Sequence, residues 1–246
     1  MSKLVRRLLI LLLWIGIWWI AAEAVHLPLM LPGPLETAQA LVRLVQTAGF
    51  WRAAGTSLLR VAVGYLAAVA AGVALAIGCH ALEGLSLLLS PLRSVIRATP
   101  VTSFIILVLL WLSRQVVPAF ISFLMVLPIV WTGLQEALGS LDESLREMTK
   151  AYGFSRWKRL KYFYIPSVRS GLLAACVTGL GFAWKSGIAA EVIALPQFAI
   201  GSKLYDAKIY LETTELFAWT LTVIVLSMAL EAVLKKVMQR RGGKQP

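Results

Sequence analysis

The chain has 246 residues, of which 59% are hydrophobic and 15% charged, with a net charge of +12 and a mean hydropathy of +0.79. A soluble domain of this length carries far more polar surface, so the composition excludes one and implies a polytopic membrane protein. Excess Lys and Arg in such a chain mark cytoplasmic segments, and with no basic-aromatic groove or nucleic-acid motif, nucleic acid is excluded as a partner.

The first apolar run, about residues 8–25, follows Lys3, Arg6 and Arg7 and ends near Ala22-Glu23-Ala24. That ending resembles a signal-peptide cleavage site, but Trp14, Trp18 and Trp19 are foreign to a signal core, so the run is read as an uncleaved first span. The prolines of LPLMLPGPLET then forbid a continuous helix. PLETAQALVRLVQTAG has apolar residues at helical spacing and reads as a short amphipathic helix, either on the membrane surface or as a plain connector.

The second span is expected at about 58–80, where Gly64, Ala68, Gly72 and Ala76 recur every four residues. Small residues at that spacing let another helix approach closely. Pro91 and Pro100 bracket a short helix before a third span near 101–113, and a fourth, about 116–138, contains Pro128. A fifth is expected from Pro166 to about 195, again with small residues, Gly171, Ala175 and Gly179, four apart. A polar connection leads to a sixth at about 216–238. The whole of 1–246 thus reads as one all-α transmembrane domain of about six spans. With six spans both termini and the stretch 146–166 share one side, which holds most of the Lys and Arg and is therefore expected to be cytoplasmic.

That stretch, REMTKAYGFSRWKRLKYFYIP, breaks the apolar pattern with six basic residues, Arg146, Lys150, Arg156, Lys158, Arg159 and Lys161. The pattern predicts a helix ending at Gly153, a residue suited to a left-handed C-cap, and a second helix capped by Ser155. Trp157, Leu160, Phe163 and Tyr164 give the second helix an apolar face that a merely solvated loop does not need.

Glu147-Met148-Thr149, then three residues, Gly153, nine residues, and Phe163-Tyr164-Ile165-Pro166 match the cytoplasmic loop pattern E-A-A-x3-G-x9-I-x-L-P. The chain here resembles the permease subunits of binding-protein-dependent ABC importers. With LPGP, SLLRVAVGYLAAVAAG, PLRSVIRATP and FAWKSGIAAEVIA, the resemblance covers most of the chain and is closest to the nitrate, sulfonate and taurine branch, which includes carriers of thiamine precursors. It implies a type I importer permease working as a homodimer in a bacterial inner membrane, with two ATP-binding cassette ATPase subunits and an external solute-binding protein. The solute it implies is a sulfonate-like anion or a thiamine-precursor-like heterocycle. It also implies that the loop 142–166 couples to the ATPase through Glu147, Thr149, Ala151, Gly153, Phe154, Ser155 and Pro166.

No phosphate-binding G-x-x-x-x-G-K-[ST] motif is present, so ATP is expected on the partner subunit and no cofactor on this chain. Neither H-E-x-x-H nor G-x-S-x-G occurs, so an intramembrane enzyme is not expected. An ion-coupled secondary transporter is the alternative, disfavoured by the lack of inverted repeats. Cys79 and Cys176 lie in apolar runs and read as small buried hydrophobes. His26 and His80 have no companion ligands, so no metal site is expected. Ionisable residues inside spans are costly, which makes Lys185 and Glu191 the candidates for the solute path. Six positions apart on one helix, they do not share a face. Arg97, Glu136 and Glu231 lie near span ends and read as interfacial.

Overall fold

The computed structural model describes residues 3–27 and 29–241, so Pro28 and the tail beyond Arg241, Lys244 included, lie outside it. Among the described residues every regular element is helical. The first helix, α1 (Lys3–Val25), buries none of its apolar window within the chain. Trp18 tethers it: the indole N–H donates to the Pro32 carbonyl at 3.1 Å, and the ring stacks on Phe217 at 6.0 Å. After the proline-rich turn, α2 (Pro34–Val45) takes the amphipathic stretch, with Thr37 and Ala40 on its buried side.

Helix α3 (Ala48–Ala81) starts ten residues before the expected span at 58. Thr47 allows the early start, because its Oγ1 accepts the Phe50 N–H at 3.2 Å and caps the new helix. At about 1.5 Å per residue, α3 is roughly 50 Å long and reaches beyond the hydrocarbon layer.

The third span does not form as one helix. Helix α4 (Glu83–Ala98) carries Pro91 in its interior rather than at its start, and α5 (Val101–Val108) is only eight residues long. The two meet at a bend of 102°. Pro100 forces it: the residue before a proline is driven from helical to extended backbone, and Thr99 sits at φ −82°, ψ 129°. Helix α6 (Val117–Gly139) follows, then α7 (Glu143–Ala151). The short α8 (Arg156–Arg159) runs through a π-helical turn, Leu160–Tyr164, into α9 (Ile165–Ala194). The last described elements are α10 (Ile200–Ile209) and α11 (Thr213–Arg241). Among the described residues, five helices are long and apolar enough to cross a membrane, and the bent pair of α4 and α5 raises the number to six when it counts as one span.

The core is a layer in which α6 lies between α3 and α9. Both small-residue rows serve it, within the chain. A Cβ placed on Gly72 would lie 3.0 Å from the Val130 Cβ, and one on Gly64 would run into the Ala119 carbonyl. On the other side Gly171 faces Ala137, and Gly179 faces Val126. Trp131, Trp184, Val130 and Ile121 fill the space between these approaches and are fully buried.

Overpacking a close helix contact costs about 1–3 kcal/mol. Gly72→Leu drives a full side chain into Val130, so the variant is expected to give a lower yield of folded protein and a lower melting temperature in detergent. Gly16→Leu, on α1 where nothing lies within 4 Å of a Cβ, is the control expected to behave as wild type.

Candidate functional site

Two features stand apart from the packed layer: a cavity beside α6 and α9, and the polar elbow between those helices. The cavity encloses about 1150 Å³. Its walls come from the end of α4 (Ile96, Arg97), the start of α5 (Val101), α6 (Pro128, Thr132, Glu136) and α9 (Thr178, Lys185, Ser186). Ser140, Ser167 and Ser170 line its end nearest the elbow. The 102° bend turns Arg97 toward this space. Three charged side chains, Arg97, Lys185 and Glu136, therefore share one cavity, with positive charge in excess. The Thr132 hydroxyl at the wall is buried and has no hydrogen-bond partner among the described residues. Apolar walls with a few convergent polar groups suit a small, charged, hydroxyl-binding solute.

The two predicted path residues part company. Lys185 is exposed to the cavity. Glu191 is fully buried at 0% exposure, off the cavity, between α3, α9 and α10. Its Oε2 accepts the Ser57 hydroxyl at 2.7 Å and the Gly201 N–H at 3.1 Å, and its Oε1 meets Arg60 Nη1 at 3.3 Å. Ser57 Oγ in turn accepts the Ile200 N–H at 2.9 Å. Gly201 is required there, because a Cβ would collide with Glu191 itself. The guanidinium of Arg60 continues outward to the Gln197 carbonyl at 2.8 Å and to the side chain of Gln115. Sequence reasoning missed Arg60 as a partner, although it falls inside the second expected span, where a charge needs one. It also missed that Arg97 and Glu136 join Lys185. Glu231 instead pairs with Lys235 on α11 at 3.2 Å.

In the elbow, Asp142 caps α7. The Ser144 hydroxyl donates to Asp142 Oδ1 at 2.7 Å and the Ser144 N–H at 2.8 Å, which together hold this carboxyl below the ordinary carboxylate range. The helix ends as predicted: Gly153 has φ +64°, and the Phe154 N–H donates back to the Thr149 carbonyl at 3.0 Å, as in a Schellman cap. Ser155 caps α8, its Oγ accepting the Lys158 N–H at 3.3 Å.

Of the predicted coupling residues, Glu147, Ala151, Gly153 and Ser155 are exposed, Phe154 is half-buried and Thr149 is buried. Tyr152 and Trp157 stand out at 75% and 71% exposure, while Phe163 turns inward and is buried. Pro166 does not begin a separate helix. The helical path runs on from Arg156 to Ala194, and the Ile165 N–H reaches five residues back to the Leu160 carbonyl. That wider turn makes room for a proline ring that would clash with an ordinary α-helical carbonyl.

The Arg60–Glu191 pair yields a stability prediction. Breaking a buried pair by removing one partner costs about 3–5 kcal/mol, whereas replacing both with apolar groups is often near neutral. Glu191→Leu or Arg60→Met alone is expected to lower the thermal midpoint of the purified protein sharply, and the double variant to recover most of the loss. Losses that simply add in the double variant would show that the charges do not act as a pair.

Residues 64–241 match the family described as binding-protein-dependent transport system inner membrane component. The taurine transport system permease protein of Escherichia coli (strain K12) is 23% identical over 231 residues, covering 91% of this chain and 84% of that protein. A probable ABC transporter permease protein of Brucella melitensis biotype 1 is 26% identical over 233 residues, covering 92% of this chain and 91% of that protein. Another from Bacillus subtilis (strain 168) is 30% identical over 69 residues, 28% of this chain and 22% of that protein. With the all-helical spans, the bent pair and the capped elbow in place, the chain belongs to the binding-protein-dependent transport system inner membrane components, and is a non-catalytic, multi-pass ABC transporter permease subunit.

Proposed function

We propose that this permease works in an ATP-driven importer, and that the cavity holding Arg97, Glu136 and Lys185 is one protomer's share of the solute path. The observation that carries the proposal is the elbow. A left-handed turn at Gly153 ends α7, and Leu145, Met148, Tyr152 and Trp157, which flank it in sequence, are exposed. Apolar side chains on a polar, basic loop outside the spans suit a protein partner. In the proposed assembly that partner is one of two ATPase subunits, which bind the ATP; this chain binds no cofactor. Glu147, Thr149, Ala151, Phe154, Ser155 and Pro166 belong to the coupling segment with Gly153. A second copy of the chain completes the path, and an external binding protein delivers the solute.

Excess positive charge in the cavity favours a small anion, such as a sulfonate, over a neutral heterocycle, and the taurine permease relative supports this direction. Lys185 is kept as a path residue. Glu191 is not, since its oxygens are engaged away from the cavity. The elbow and both termini are assigned to the cytoplasm, supported by the Lys and Arg they carry.

A branched residue in the left-handed region is strained by about 1–2 kcal/mol, so Gly153→Val should change how α7 is presented without unfolding the spans. In complexes reconstituted with the ATPase and binding protein, this variant is expected to lose solute-dependent ATP turnover and uptake. Wild-type values for recovered complex, turnover and uptake together would overturn the coupling role. Lys185→Met should lower uptake of an anionic solute while the complex still assembles. For orientation, a cysteine at Ser155 should resist a membrane-impermeant reagent in intact cells, and one at Gln197 should react with it.

A further inference from the structure

The charges that share the cavity are ordered along it. Helices α6 and α9 run antiparallel, and their contacts fix the register. A Cβ on Gly171 would meet that of Ala137, one on Gly179 would meet Val126, and Ser122 Oγ donates to the Ala183 carbonyl at 3.0 Å. Glu136, next to Ala137, is therefore level with Gly171 near the elbow, and Lys185 is level with Ser122 at the far end. At about 1.5 Å per residue of α9, the two levels lie roughly 20 Å apart. Arg97 stands between them. Helix α4 starts beside Leu134 and Leu138, and α5, beyond the bend, packs on Ile121, so this part of the chain climbs away from the elbow. Arg93 is held at the level of Trp131 and Gln135, and Arg97 follows one helical turn later.

Nothing within the chain cancels these charges. Among the described residues, Lys185, Arg97 and Glu136 have no ion pair and no side-chain hydrogen bond. Arg93, the cation nearest the level of Glu136, donates instead to Gln135 Oε1 at 2.8 Å and lies over the Trp131 ring at 5.4 Å. No basic side chain lines the elbow end, where Ser140, Ser167 and Ser170 complete the wall. In a largely apolar cavity a few fixed charges set the potential. It is positive from Lys185 to Arg97 and reverses sign at Glu136. Cations alone would draw an anion equally from either end, and the carboxylate makes the two ends unequal.

We propose that Glu136 is a specificity-determining residue of the path: Lys185 and Arg97 draw a small anion in from the far end, and the Glu136 carboxylate keeps the elbow end from holding that anion or admitting it again from the elbow side. The inference rests on the importer reading above, which makes the elbow end the exit.

The test maps this potential in the full importer complex, in nanodiscs without ATP, with Cys79→Ala and Cys176→Ser as background. Ser170→Cys reports the elbow end, and Ala189→Cys, one turn beyond Lys185 on the same helix face, reports the far end. Each is reacted with two methanethiosulfonates of opposite charge, the sulfonatoethyl and the trimethylammonioethyl reagents. The ratio of their rates cancels the ionisation and exposure of the thiol itself. The anionic-to-cationic ratio at Ser170→Cys should lie below that at Ala189→Cys before any charge is changed. Glu136→Gln is expected to raise it about tenfold at Ser170→Cys and little at Ala189→Cys, because the Coulomb energy falls with distance. Glu136→Asp should keep the original ratio, and Lys185→Met should lower the ratio at Ala189→Cys. Should Glu136→Gln fail to assemble, Glu136→Ser, which only opens space at an exposed position, decides by the same ratio. An unchanged ratio at Ser170→Cys in Glu136→Gln, with the Lys185→Met shift present, overturns the exit role and leaves the path reading intact. An equal shift at both positions overturns it too, since the carboxylate would then not act at the elbow end. Ratios that neither variant moves, or no reaction at either position, overturn the path reading and the proposal together.

Discussion

Helices in lipid gain little from burying apolar side chains against one another, since the surrounding acyl chains are equally apolar. What holds α3, α6 and α9 together is how closely their backbones approach. Gly64 and Gly72 admit α6 from one side, and Gly171 and Gly179 admit it from the other. Everything else is placed by this layer. It brings Ser57 and Arg60 of α3 to Glu191 of α9, and it leaves a cavity between α6, α9 and the bend where α4 meets α5.

The charged groups follow a division of labour that burial makes clear. Glu191 has lost contact with solvent and is compensated on both oxygens, by a hydroxyl, a backbone N–H and a guanidinium. A carboxylate so engaged stiffens the junction of three helices and is poorly placed to greet a passing solute. Lys185 and Arg97 remain open to the cavity, where the excess positive charge is available to a ligand. The two kinds of intramembrane charge look alike in sequence, and the difference lies entirely in their neighbours.

The elbow joins rigidity to exposure in another way. Gly153 and Ser155 set the two ends of a tight turn, and the π-helical turn carries the chain past Pro166 without a break. The elbow thus adjoins the start of a helical path that runs from Arg156 to Ala194, along the wall of the cavity. The same path ends at the turn whose Gln197 carbonyl accepts from Arg60. One long helical element therefore connects the polar elbow, the charged cavity wall and the far face.

Much of this was legible in the chain itself. Apolar runs, small residues at four-residue spacing, a glycine before a capping serine and the basic elbow are local patterns, and local backbone chemistry decides them. Five of the expected spans, the left-handed turn at Gly153 and the Ser155 cap follow from such patterns. The third span does start after Pro100 as expected, but it stops at Val108 rather than running to about 113, and it joins the preceding helix at a bend set by the extended backbone of Thr99. Pro166 falls in the first turn of α9, as expected, and what the sequence did not reveal is that a π-helical turn joins this helix to α8 without a break. Tertiary structure alone decided that Arg60 meets Glu191, that Arg97 and Glu136 join Lys185, and that the small-residue rows pack within one chain. The physical reason is that sequence spacing sets which residues share a helix face, whereas the direction that face takes depends on which backbones can approach it.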